Sequence, residues 1–329
     1  MKKRLFGAVV GAVAITVALG GCASGGGDAG STDAAGGGDT PYVAIVSKGF
    51  QHQFWQAVKE GAEQAADEFG VEITFEGPDT EADVDQQIQM LQTALDKSPA
   101  AVGFAALDSQ AAGPLLQQAQ DAGIPVVAFD SGVDSDIPVT TAATDNKAAA
   151  AEAAKQMAEA IGGEGKVALV VHDQTSVTGV DRRDGFVDYM EENEPGIEIV
   201  DIQYGGGDQA KSADLAKAII AANPDLKGIY GSNEGSAIGV VQAVKELGLP
   251  AGQLAVVGFD SGKAQTDAIR DGLMIGAITQ NPVGIGYETV KAAVEAIDGE
   301  ELPKTIDTGF FWYTAENIDD PEIAAVLYE

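Results

Sequence analysis

Cysteine is nearly absent from this chain. Cys22 is the only one in 329 residues, so no intrachain disulfide can form and no thiolate cluster can hold a metal. Histidine is almost as scarce: His52 and His172 stand far apart and are too few for a zinc site of ordinary spacing. Basic residues are also few, 19 Lys and Arg against 51 Asp and Glu, for a formal net charge of −32. Without a basic cluster the chain lacks what phosphate-backbone binding requires, so nucleic acid is not an expected partner. The same charge disfavours adsorption to anionic lipid and favours solubility in a salty exterior.

The signatures of several enzyme classes are missing too. No G-x-S-x-G elbow marks an activated serine. Gly162-Gly163-Glu164-Gly165-Lys166 precedes a strand-like run instead of following one and lacks the Ser or Thr of a phosphate loop, so it reads as a turn. Gly205-Gly206-Gly207 lies between strand-like and helix-like runs but lacks dinucleotide-binding spacing; it suits a tight turn or a close backbone approach to a ligand. Asp130, Asp134 and Asp136 alternate in a loop that no Glu closes as a calcium site would need, and solvated loop charge is the better reading. Neither a metal nor a cofactor is expected.

What is present is a repeat. Val126-Val127-Ala128-Phe129-Asp130-Ser131-Gly132 returns as Val256-Val257-Gly258-Phe259-Asp260-Ser261-Gly262, with one change in seven positions. A short Val-rich run ending in a carboxylate and a turn residue is the pattern of a buried parallel strand emptying into a loop. The likeness extends upstream, where setting Gly123 over Gly248 puts Asp108 over Asn233. A repeat of this size implies two similar α/β lobes, not a solenoid. Ligands in open α/β sheets bind outside the carboxyl ends of the strands. Two lobes facing each other across those ends would hold a small molecule between Asp130 and Asp260.

Both ends of the chain add information. Lys2, Lys3 and Arg4 followed by the apolar run Leu5 to Leu19 form a targeting segment. Leu19-Gly20-Gly21-Cys22 resembles a bacterial lipobox, which implies cleavage before Cys22 and lipid on its thiol; a plain signal peptide or an uncleaved anchor is the alternative. Ala23 to Thr40 is Gly, Ser, Ala and Asp without periodicity, too apolar-poor to offset ordering entropy, and is expected to be a flexible linker. From Pro41 on, strand-like and helix-like runs alternate, beginning with the strand Tyr42 to Ser47 and the helix from about Gln53 to Phe69. A later helix is predicted from about Val180 to Glu192 with Asp181-Arg182-Arg183-Asp184 as its charged first turn, and Thr305 to Tyr313 as one last extended piece. Thr144-Asp145-Asn146 reads as a helix cap at the first crossing between lobes. His52 and His172 each follow a lobe's first strand and are candidates to line the cleft as hydrogen-bond partners. Phe54 and Trp55 open a helix just below a strand tip, where an aromatic face could stack on a sugar ring.

Taken together, the lipobox, the Phe54-Trp55 pair, the Thr144-Asp145-Asn146 break, the Gly258-Phe259-Asp260 strand end and the Gln280-Asn281-Pro282 crossover resemble the periplasmic sugar-binding proteins of ABC importers, the ribose-binding type in particular. The resemblance covers nearly all of Pro41 to Glu329. It implies the type I periplasmic binding protein fold: α/β, two Rossmann-like lobes with parallel sheets joined by a three-crossover hinge. The expected organisation is a signal peptide at 1–21, the lipidated cysteine and linker at 22–40, a first lobe from 41–144 plus 281–307, and a second from 145–280 plus 308–329. By the same resemblance Phe54 and Trp55 are stacking aromatics, Asp130, Arg182, Asn233 and Asp260 polar sugar contacts, and Gln280 a hinge glutamine; Asp108 is added by the repeat. Ser131, Ala105 and Gly207 stand where ribose binders carry arginine, asparagine and phenylalanine, so the pocket should be enlarged or reshaped and ribose itself is in doubt.

The implied function is capture of a monosaccharide or polyol, without catalysis, and delivery to a membrane permease. The protein is expected to be a monomer outside the cytoplasm, tethered through Cys22 or periplasmic. A surface-anchored sugar-active enzyme, a chemoreceptor co-ligand and a binder of nucleosides or furanose signals remain open alternatives.

Overall fold

The structure, a computed structural model, describes residues 40–328; the targeting segment, Cys22 and nearly all of the linker lie outside the described residues. The chain first lays down β1 (Tyr42–Val46), α1 (Gln53–Phe69), β2 (Glu72–Glu76), α2 (Val84–Asp96), β3 (Ala101–Phe104), α3 (Gly113–Asp121), β4 (Val126–Phe129) and β5 (Thr140–Ala143). It then crosses to α4 (Asn146–Ile161), β6 (Gly165–Val171), α5 (Val177–Asn193), β7 (Ile197–Tyr204), α6 (Gln209–Ala222), β8 (Leu226–Gly231), α7 (Glu234–Glu246), β9 (Ala255–Phe259), α8 (Lys263–Arg270) and β10 (Gly276–Gln280). α9 (Pro282–Ile297) and β11 (Thr305–Asp307) return to the first body, and β12 (Phe310–Tyr313) and the short α10 (Pro321–Ala324) complete the chain.

Two six-stranded sheets result, ordered β11-β5-β4-β3-β1-β2 and β12-β10-β9-β8-β6-β7. All pairings are parallel except β10 with β12. In each sheet the strand order reverses beside the first strand, at β1/β3 and β6/β8, which is where a doubly wound sheet opens a crevice at its carboxyl ends. The chain passes between sheets at three places, after β5, after β10 and between β11 and β12. The run Thr305 to Tyr313 is therefore two strands in two sheets instead of one extended piece. Gly309, at φ +76°, turns the chain between them, and its carbonyl accepts from Thr144 Oγ1 at 3.2 Å, joining two of the crossings.

Local sequence explains the helices that matter for the site. In α1, Phe54, Val58, Ala62 and Ala65 recur at helical spacing and are buried against the first sheet, and Gly70 ends the helix in the left-handed conformation. α5 begins at Val177, a turn earlier than the charged residues suggested, because Ser176 is a good cap: its Oγ accepts from Gly179 N at 3.0 Å. Arg182 consequently sits inside the helix, buried, and not in an exposed first turn. The acidic C-terminal tail ends in a buried anchor, Tyr328, which packs edge-on to Phe54 and whose hydroxyl accepts from Ser261 N.

Candidate functional site

The carboxyl ends of both sheets converge on a small cavity lined mostly by polar and charged side chains. From the first body come His52, Phe54, Trp55 and Asp130; from the second His172, Arg182, Asn233, Asp260 and Gln280. Asp108 is not among the lining residues. Its Oδ1 accepts from Gln110 N and Ala111 N, so it caps the local turn. Asn233, its counterpart in the repeat, caps Ser236 N in the same way yet turns its amide Nδ2 inward to Glu81 Oε2, 3.2 Å away.

Asp130 and Asp260 both adopt left-handed backbone, at φ 52° and 79°, which is uncommon outside glycine and which Asp and Asn enter more readily than other residues. Each backbone amide donates to the neighbouring strand, Asp130 N to Ala142 O at 2.9 Å and Asp260 N to Ile278 O at 2.6 Å. That bond swings the carboxylate off the strand end and into the cavity. Asp260 is then held by Gln280 Nε2 at 2.7 Å and Glu234 N at 2.9 Å, with Arg182 Nη1 at 3.8 Å. Asp130 accepts no side-chain hydrogen bond among the described residues. Burial pushes its carboxyl up to about 6, against the pull of Lys48 and Arg182.

Arg182 is fixed from three sides: Nε donates to Asn146 Oδ1 at 2.8 Å, Nη1 to Ser232 O at 3.0 Å, and its guanidinium lies 3.7 Å from the centre of the Phe259 ring. Asn146 therefore does more than open α4, and Asp145 alone caps it, accepting from Ala148 N. Phe54 and Trp55 meet edge to face at 4.9 Å. His172 is buried, bonded to Ser232 Oγ at 2.8 Å; burial holds its imidazolium well below the usual histidine range despite Asp173 beside it, so the ring is neutral at pH 7.

Three lining residues, Lys48, Glu81 and Thr178, were not singled out by the sequence as site residues. Lys48, just after β1, points inward and donates to Thr178 Oγ1 of the other body at 3.0 Å. Glu81, from the loop after β2, accepts from Trp55 Nε1 at 2.7 Å as well as from Asn233. Burial alone would raise its carboxyl, but neighbouring His52, the Lys48 ammonium and the Trp55 bond hold it below the usual range. Gly207 does not enlarge the pocket as its lost side chain suggested: a Cβ there would lie 2.8 Å from Glu81 Oε2, so the carboxylate occupies that space. Ser131 and Ala105 are fully buried and do not line the cavity.

Paired α/β bodies closing on a cavity with carboxylates, a guanidinium and aromatic rings define a two-lobed solute receptor. The chain belongs to the periplasmic binding protein family, whose domain model matches residues 43–301, and has that family's type I fold. It is similar to the D-allose-binding periplasmic protein of Escherichia coli, 30% identical over 77% of this chain and 83% of that one. Among solved structures, an ABC transporter solute-binding protein from Agrobacterium vitis bound with α-D-tagatopyranose superposes with a TM-score of 0.85 at 31% identity, covering 88% of this chain and 100% of the other. A second protein from that organism, with bound D-fucose, gives 0.84 at 35% identity over 87% and 100%.

Proposed function

We propose that this protein captures a neutral monosaccharide or polyol outside the cytoplasm and presents it, lobes closed, to the permease of an ABC importer, acting by binding and not by catalysis. The observation that carries the reading is the meeting of both repeat aspartates, one from each lobe, on one small polar cavity walled by Phe54 and Trp55. Charged groups that accept or donate to paired hydroxyls contribute about 1.5–3 kcal/mol per hydrogen bond when water is excluded. Lys48 faces inward, which alone would favour an anionic ligand. With Arg182 it is still outnumbered by Glu81, Asp130 and Asp260, so a sugar phosphate or sugar acid is disfavoured. Relatives that bind D-allose, α-D-tagatopyranose and D-fucose support a monosaccharide as the guest. Closure is favoured by the ligand because only the closed form assembles both sets of contacts.

Thermal-shift screening of the purified protein against D-allose, D-tagatose, D-fucose, D-ribose, D-arabinose and myo-inositol tests this. At least one should raise Tm by several degrees, and glucose 6-phosphate should not; a flat panel would refute the sugar reading. The tether belongs to the same proposal: Cys22 carries lipid. Metabolic labelling with an alkynyl fatty acid should mark the wild type and not Cys22→Ser, and equal labelling would remove the anchor from the account.

A further inference from the structure

Helix α1 begins without a cap of its own. The first amides of a helix need acceptors, yet His52 before it makes no side-chain capping bond and no acidic residue stands in its first turn. The acceptor comes from the other lobe. Glu234, the first residue of α7, receives Gln53 N at Oε1 and Phe54 N at Oε2, each at 3.1 Å. Its own amide meanwhile donates to Asp260 Oδ2 at 2.9 Å. One buried residue thus touches the aromatic wall of the first lobe and the aspartate of the second without lining the cavity itself.

The neighbouring chain makes room for this contact. A Cβ on Gly262 would lie 2.9 Å from Glu234 Cδ and 3.1 Å from Gln53 Oε1, so the segment following Asp260 is bare where the carboxylate passes. Gln53 Oε1 in turn accepts from Lys263 N at 2.8 Å, a second tie between the lobes at the same place. A carboxylate at a helix N-terminus gains from both the orphan amides and the helix dipole. Here that gain exists only while the lobes are together.

We infer that Glu234 is a positioning residue for ligand capture: its carboxylate clasps the start of α1 when the lobes close, setting Phe54 and Trp55 against Asp260. Its effect on sugar affinity rests on the function proposed above; its effect on closure does not. The reach of the side chain is what matters, since Asp at this position would keep the negative charge at the start of α7 but fall one methylene short of α1.

The test uses spin labels at two exposed sites, Glu63→Cys in α1 and Gln242→Cys in α7, in a Cys22→Ser background, with interlobe distances measured by pulsed electron paramagnetic resonance. Without sugar, the closed-distance fraction should fall in Glu234→Ala, Glu234→Asp and Gly262→Ala relative to wild type. With D-allose, D-tagatose or D-fucose, whichever binds the wild type tightest, all three variants should weaken binding by about 2- to 30-fold, the range expected for a lost helix cap, mainly through faster dissociation. Unchanged distances in Glu234→Ala, or wild-type behaviour in Glu234→Asp at an unchanged melting temperature, would overturn the clasp. If no sugar binds wild type, the sugar reading fails while the sugar-free distances still decide the clasp.

Discussion

The two copies of the repeated segment share strand, turn and left-handed aspartate, and differ in what surrounds the carboxylate. Asp260 is tied to Gln280, Glu234 and Arg182, its backbone oxygen accepts from Tyr313 OH at 2.8 Å, and the next residue, Ser261, bonds Thr279 and Tyr328. Asp130 has none of these side-chain ties, and Ser131 Oγ is buried without a partner. One copy is braced before any ligand arrives; the other is a buried charge whose hydrogen-bonding capacity is open to the cavity. Equal sequence thus serves unequal tasks, and the difference comes from neighbours distant in the chain.

The largest expected contrast is between Asp260→Asn and Asp130→Asn. Both should abolish the sugar-induced rise in Tm. Asp260→Asn also sets an amide against the donors of Glu234 and Gln280, one of them unpaired whichever way it flips, and should destabilise the sugar-free protein by about 1–3 kcal/mol. Asp130→Asn should leave it as stable or more so at pH 7. A carboxyl raised from 3.8 to about 6 penalises the folded state once ionised, by at most about 3 kcal/mol. That penalty is absent below pH 4, grows between pH 4 and 6 and is constant above. Urea unfolding of the two variants at pH 7 would break the comparison if their stabilities moved together.

Next in size is pH dependence. Sugar hydroxyls donating to Asp130 favour its ionised form, so affinity should rise with pH up to about 6 and level off above, falling by up to about tenfold per unit below it. Titration calorimetry from pH 4.5 to 8 should show this for wild type and a flatter profile for any residual binding by Asp130→Asn. Smaller again, Glu81→Gln should behave like a braced residue and not like Asp130, costing about 1–2 kcal/mol of sugar-free stability through its bonds to Trp55 and Asn233. The smallest contrast is Ser261→Ala, expected to cost about 1 kcal/mol, against Ser131→Ala near zero.

Much of the fold was legible because its signals are local. Apolar runs of strand length, α1's helical spacing closed by Gly70 and the repeated Val-Val-x-Phe-Asp-Ser-Gly each act within a few residues. The remaining charges of the site were less so. Lys48 and Glu81 come from strand-tip segments without periodicity, and besides Trp55 of its own lobe Glu81 meets Gly207 and Asn233, which arrive from the other lobe. Asp108 and Asn233 look equivalent in the repeat, and both do cap; only Asn233 also meets Glu81 across the lobes and lines the cavity. The early start of α5 was hidden by Ser176, whose capping role outweighs the charged residues further on.

The most direct test of the central claim is a crystal structure of the purified protein grown with whichever panel sugar gives the largest thermal shift. The sugar should lie between the lobes with hydroxyls within hydrogen-bonding distance of both Asp130 and Asp260 and its ring against Phe54 or Trp55. A sugar held by one lobe alone, or bound away from both aspartates, would contradict the account.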